Sequence, residues 1–182
     1  MHKRNLLFVV FISLVSSFCY SQAGAHIFAG GVIATSKDAN LTIPKSGSKG
    51  YEIGLDARLN SDDMYFLFGA KYVVLTQEKM SIIKGRLGLG FDIIHFSRNI
   101  YLRTKLQGSI NFINDFDATI PFNPGYSILQ VNDGFAGAVS GLGLTMGPFM
   151  IDLDYEYGLF NVAFGKKESK LNFIGLNAGF RF

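Results

Sequence analysis

The chain has one cysteine, no tryptophan, four prolines and three histidines in 182 residues. The cysteine, Cys19, lies in a stretch that reads as removable, so the mature protein is expected to have no thiol. It then has no disulfide and offers no cysteine to a metal. Proline is confined to Pro44, Pro121, Pro124 and Pro148, which leaves long stretches free to extend. Charge is also sparse, at 17% of residues. Taking Lys3 and Arg4 from 17 basic residues against 14 acidic ones leaves a net charge of about +1. That is no footprint for nucleic acid. Beyond residue 21 no apolar run reaches the ~20 residues of a membrane-spanning helix.

Residues 1–21 read as a cleaved signal peptide. His2, Lys3 and Arg4 give a basic start, Leu6 to Val15 an apolar centre, and Cys19-Tyr20-Ser21 small residues at the cleavage positions. A second site at Ala23-Gly24-Ala25 is open. The apolar centre is interrupted by Ser13 and followed by Ser16 and Ser17, too short for an anchor helix. Residues 22–182 then form one domain.

What is abundant is glycine (21), phenylalanine (18) and tyrosine (8), a composition suited to strands with close backbone packing. The closing stretch Leu171–Phe182 alternates. Ile174, Leu176, Ala178, Phe180 and Phe182 share one face, and Gly175, Asn177, Gly179 and Arg181 share the other. The period recurs upstream. Tyr51, Ile53, Leu55, Ala57 and Leu59 oppose Glu52, Asp56 and Arg58, and Phe66, Phe68, Ala70, Tyr72 and Val74 oppose Lys71. Ile83, Leu87, Leu89 and Phe91 oppose Lys84, Arg86 and Asp92, and Leu102, Leu106 and Ile110 oppose Arg103, Lys105 and Gln107. Phe149, Ile151, Leu153, Tyr155 and Tyr157 oppose Asp152, Asp154 and Glu156. With His26–Thr35 and the glycine-rich Phe135–Met146, the pattern predicts eight strands of spanning length.

The connections alternate long and short. Ser36–Gly50, Thr76–Met80, Ile113–Asp133 and the loop with GKKESK fall at one end. Asn60–Asp63, His95–Asn99 and Gly147-Pro148 fall at the other. The fold class expected is all-β: an eight-stranded antiparallel up-and-down transmembrane β-barrel, long loops outside and both termini in the periplasm. Tyr126–Val131 leaves a ten-stranded count open. Phe66, Phe91, Phe149, Phe180 and Phe182 would form the periplasmic aromatic girdle, and Tyr51, Tyr72, Phe112 and Tyr157 the outer one. A secreted β-sandwich, with its polar face in water, is the alternative of the same period.

Over residues 26–182 the chain resembles small outer-membrane barrels of the OmpA/OmpX transmembrane type, including PorT-like barrels found with the type IX secretion apparatus. The resemblance rests on the alternation and on an ending that closes on Phe180 and Phe182. It implies that those two residues form the signal read by the barrel assembly machinery, and that the chain sits in outer-membrane lipid. Lipocalins resemble one another in a first-strand tryptophan that is absent here.

The inward faces carry Glu52, Asp56, Arg58, Lys71, Lys84, Arg86, Asp92, Arg103, Lys105, Asp152, Asp154, Glu156 and Arg181, seven basic and six acidic. An eight-stranded barrel is only wide enough for its own side chains, so these charges are expected to pair and plug it. Lys84 and Arg86 are expected beside Arg103 and Lys105 as a basic sector facing the acidic strand. The rival reading is an ion or solute path, a narrow pore as in OmpW-like barrels.

The mature chain keeps only His26 and His95, both at the expected periplasmic end. Lipid A deacylases, which resemble this barrel, place a His/Ser pair near the outer leaflet. No catalytic triad, metal cluster or cofactor is therefore expected. Gly88-Leu89-Gly90 and Gly141-Leu142-Gly143 lie inside strands and read as curvature and close packing rather than phosphate loops. The surface expected to meet a protein partner is the Ile113–Asp133 loop, with Phe116, Ile120, Phe122, Tyr126, Ile128 and Leu129. The function expected is non-enzymatic: a structural anchor or interaction protein acting through its outer loops, accessory to a secretion or surface complex.

Overall fold

The computed structural model describes residues 24–36, 47–59, 63–77, 79–116, 134–161 and 170–182. The expected signal segment, 1–21, lies outside them.

Eight strands form: β1 Gly24–Ser36, β2 Ser48–Leu59, β3 Met64–Leu75, β4 Met80–Ser97, β5 Ile100–Phe116, β6 Gly134–Met146, β7 Phe149–Gly158 and β8 Leu171–Arg181. Each pairs antiparallel with the next, and β8 returns to β1, so the sheet closes in sequence order. The barrel closes with eight strands, and the segment 126–131 lies outside the described residues. Closure leaves no edge, which lets a sheet stand in a bilayer where an unpaired N–H has no water to turn to.

The alternation decides which side is which. Leu55, Leu87, Leu106 and Leu153 are 48%, 66%, 63% and 50% exposed, while Glu52, Lys84, Asp154 and Glu156 are buried. A β-sandwich would bury the leucines, so the soluble alternative fails on these residues. The two sets of aromatic positions lie on the outer wall. Phe149 and Phe180 meet edge to face with centroids 5.6 Å apart, and Phe182 lies 6.1 Å from Phe180.

The ends differ as the connections predict. Gly147-Pro148 joins β6 to β7 with Gly147 at φ +62°, the positive rotation that a two-residue hairpin with glycine first requires. Two strands outrun the sequence boundaries. His95 belongs to β4, and the turn to β5 is only Arg98 and Asn99. Two bulges, at Asp92/Ile94 and His95/Ser97, carry the pairing with β5 on past Phe91, the partner of the first residue of β3. β5 runs to Phe116, whose backbone pairs with Met80, so Phe116 closes a strand rather than opening a loop.

Candidate functional site in the barrel interior

Among the described residues, six carboxylates and six cations match one to one inside the barrel. Arg58 meets Asp92 at 3.0 Å, Lys71 meets Glu52 at 2.6 Å and Lys84 meets Glu156 at 2.6 Å. Arg86 Nη2 donates to both oxygens of Asp56 at 2.9 Å. Arg103 Nη2 donates to both oxygens of Asp152, at 2.8 and 2.7 Å, and Lys105 lies 2.8 Å from Asp154. Asp154 is the hub. Lys71 on β3 and Arg86 on β4 also reach it, at 2.9 and 3.1 Å. Glu156 further accepts from Ser109 and Asn111, and Glu52 from Asn177. An isolated buried charge is costly, and this matching offsets much of that cost by pairing.

Lys84, Arg86, Arg103 and Lys105 all reach carboxylates of β7, as a basic sector facing the acidic strand would, but they do not lie directly opposite one another. In register Lys84 opposes Asn111 and Arg86 opposes Ser109, while Lys105 opposes Gly90 and Arg103 opposes Asp92. The stagger of a closed barrel offsets the β4 pair along the axis from the β5 pair. The four cations therefore meet the β7 acids at staggered heights, Arg103 at Asp152, Lys105 and Arg86 at Asp154 and Lys84 at Glu156.

Glycine makes the pairing possible. β6 lies between β5 and β7, and its inward positions include Gly137, Gly141 and Gly143. A Cβ at Gly141 would fall 2.6 Å from Asp154 Oδ1 and 2.7 Å from the Lys105 side chain. One at Gly143 would fall 2.7 Å from Arg103 Nε and on top of Asp152. Small residues on β6 thus let charges on the flanking strands meet across it.

Several interior residues escaped the sequence reading. Val32, Ala34, Val73, Leu75, Met80, Ile82, Phe135, Leu171 and Phe173 form a dry cluster at the long-loop end. Below it, rings line the charges. Lys84 Nζ stands 3.2 Å over Phe173, Arg58 stacks 3.5 Å from the Tyr65 centroid and Lys71 lies 5.0 Å from Phe28. Gly54 opposite Phe28 and Gly90 opposite Tyr65 leave room for those rings. A signal existed for the dry cluster. Tyr72-Val73-Val74-Leu75 and Val32-Ile33-Ala34 are apolar on both faces, so one apolar face must turn inward.

Two voids within the interior hold about 10 Å³ each, room for about one water. The large recess, about 820 Å³, is on the outer wall, where Ala70, Gly85 and Gly108 sit low among Leu55, Leu87, Ile110 and Phe112. It faces acyl chains, not the lumen. His26 is buried near the short-turn end, and exposed His95 lies 5.5 Å from Tyr101 ring to ring. Among the described residues no group of His, Cys, Asp or Glu is placed to hold a metal. Phe180 and Phe182 are exposed on the outer wall. Of the expected partner residues, Ile120, Phe122, Tyr126, Ile128 and Leu129 lie outside the described residues.

A closed antiparallel barrel with an apolar outside, a paired-charge inside and unequal ends is a transmembrane barrel of the outer-membrane type, and the outer membrane is where such a wall belongs. Its fold is similar to that of Neisserial surface protein A (NspA), with a TM-score of 0.63 and 16% identity over 88% of this chain and 96% of that one. It is also similar to the N-terminal β-barrel domain of Pseudomonas aeruginosa OprF, with a TM-score of 0.51 and 13% identity over 87% and 97%. No protein-family profile and no curated protein matches the sequence.

Proposed function

We propose that this chain is a non-enzymatic and non-conducting outer-membrane anchor that meets a protein partner through the connections at its long-loop end. The filling of the lumen carries this reading. A dry plug of Val73, Leu75, Ile82 and Phe173 stands above a network in which each of six carboxylates holds a cation. Ions entering there would have to break these buried pairs. With the inside occupied, the surfaces left for function are the outer wall and the rims. A place as an accessory of a secretion or surface complex fits such a surface, and the ending at Phe180 and Phe182 fits a role in assembly.

The full-length mature protein in planar bilayers is expected to give no reproducible single-channel steps. Steady unitary currents would overturn the reading in favour of a narrow pore for small or apolar solutes. Deleting residues 117–129 is expected to keep the heat-modifiable gel mobility of a folded barrel while abolishing in-cell cross-links to a partner. Cross-links that persist unchanged would place the contact elsewhere.

A further inference from the structure

At the short-turn end β4 outlasts its neighbour. It pairs with β3 only as far as Phe91, opposite Met64, and the Asp63 carbonyl oxygen accepts one more bond, from the Asp92 N–H at 2.8 Å. β4 then runs on to Ser97 against β5 alone. Among the described residues no strand pairs with Ile93–Ser97 on the side that β3 has left. Backbone N–H and C=O groups on that side cannot sit among acyl chains, where nothing would bond them. The edge therefore stands in water at the short-turn mouth, and the exposed polar residues His95, Ser97, Arg98 and Asp63 fit that level.

The side chains beside this edge do not suit water. Ile93, Ile94 and Phe96 are exposed, Phe96 at 66%. Ile93 and Phe96 are the extra residues of the two bulges, so neither faces a β5 partner. A bare strand edge flanked by exposed apolar side chains is a template for another chain. Its two ends also carry opposite charge. Asp63 stands at the base and Arg98 at the tip, both exposed, and neither holds an ion pair among the described residues. A strand laid in line with β3 would run antiparallel to β4, its first residue beside Arg98 and its last beside Asp63. A carboxylate at its start and a cation at its end would each meet the opposite sign. A second copy in the same bilayer cannot supply that strand. A two-fold axis along the membrane normal sets two tilted β4 strands crosswise, not antiparallel.

We propose that Ile93–Ser97 is a docking edge for an extended segment of a periplasmic protein, acidic at its first residue, β-branched between and basic at its last. The segment adds as a strand beyond the start of β3. Main-chain bonds make the contact, Ile93, Ile94 and Phe96 cover its apolar side chains, and Asp63 and Arg98 fix its direction. This contact lies at the opposite end from the long loops and does not rest on any contact made there.

The probe is a labelled acetyl-Glu-Thr-Val-Thr-Val-Thr-Lys-amide peptide, titrated against the full mature barrel in lipid nanodiscs and read by fluorescence anisotropy. Saturable binding is expected, with slower amide exchange at Ile93–Ser97. The peptide with Glu and Lys exchanged is expected to bind about tenfold more weakly, through like charges set side by side. Arg98→Glu combined with Asp63→Arg is expected to reverse that preference while keeping the heat-modifiable gel mobility. N-methylation of alternate peptide residues is expected to abolish binding in one phase and spare it in the other, since only one edge of the added strand meets β4. No saturable binding, equal affinity for the two charge orders, binding by both methylated forms, or amides of Ile93–Ser97 already protected without peptide would each overturn the assignment. Should the double variant fail to assemble, the wild-type barrel with the two charge orders and the two methylated forms decides.

Discussion

Asp154→Asn is expected to destabilise the barrel by about 3–5 kcal/mol, the usual cost of removing one member of a buried ion pair. The reason is its three partners. Lys71 keeps Glu52 and Arg86 keeps Asp56, but Lys105 is left with only Asp152, 3.8 Å away and already gripped by Arg103. Lys105 therefore becomes the uncompensated charge. Adding Lys105→Met is expected to restore part of the loss, and a double-mutant cycle in urea, read by gel mobility in vesicles, isolates that coupling. The neighbour supplies the converse. Leu153 faces acyl chains, so Leu153→Arg is expected to cost about 2–4 kcal/mol in a bilayer through lipid exposure, with the interior pairs intact. A loss under about 1 kcal/mol for Asp154→Asn would mean that water screens the lumen, and the plugged interior would have to be abandoned.

Leu153 and Asp154 also show how much of this was legible in sequence. A strand has period two, so one residue's environment fixes that of every second neighbour. Phe149 to Tyr157 could be sorted into lipid-facing and lumen-facing sets without coordinates. Which lumen charges meet was not legible. Pairing across a barrel depends on stagger, and nothing local in Lys84 or Arg103 states how far β4 is offset from β5. For the same reason the offset within the basic sector was not legible, though its facing of the β7 acids was. The dry cluster was missed because alternation was read from the charged residues, and Val73 and Leu75 break it by being apolar on the inward face. Phe116 and His95 were misassigned because strand ends carry no boundary signal when polar and apolar residues continue past the last ladder pair.

Glycines on one strand give the sharpest test of closure. Gly88→Val is expected to cost at least ~3 kcal/mol or to prevent the heat-modifiable form altogether, while Gly85→Val, three residues away, is expected to change stability by under about 1 kcal/mol. The two sites lie on opposite faces of β4 and differ sharply in what a Cβ would meet. At Gly88 it would press on the Leu106 carbonyl oxygen and lie 2.5 Å from the Gln107 Cα, both backbone atoms of β5. Backbone cannot turn aside as a side chain can, so β4 and β5 must separate and lose part of the ladder between Gly88 and Gln107. At Gly85 nothing lies within 4 Å, because the position opens onto the recess of the outer wall. Valine there fills space that lipid would otherwise occupy and favours the extended backbone. Folding of both variants from urea into vesicles, scored by gel mobility, separates the outcomes. Equal behaviour would mean that the wall closes without needing a bare backbone at Gly88.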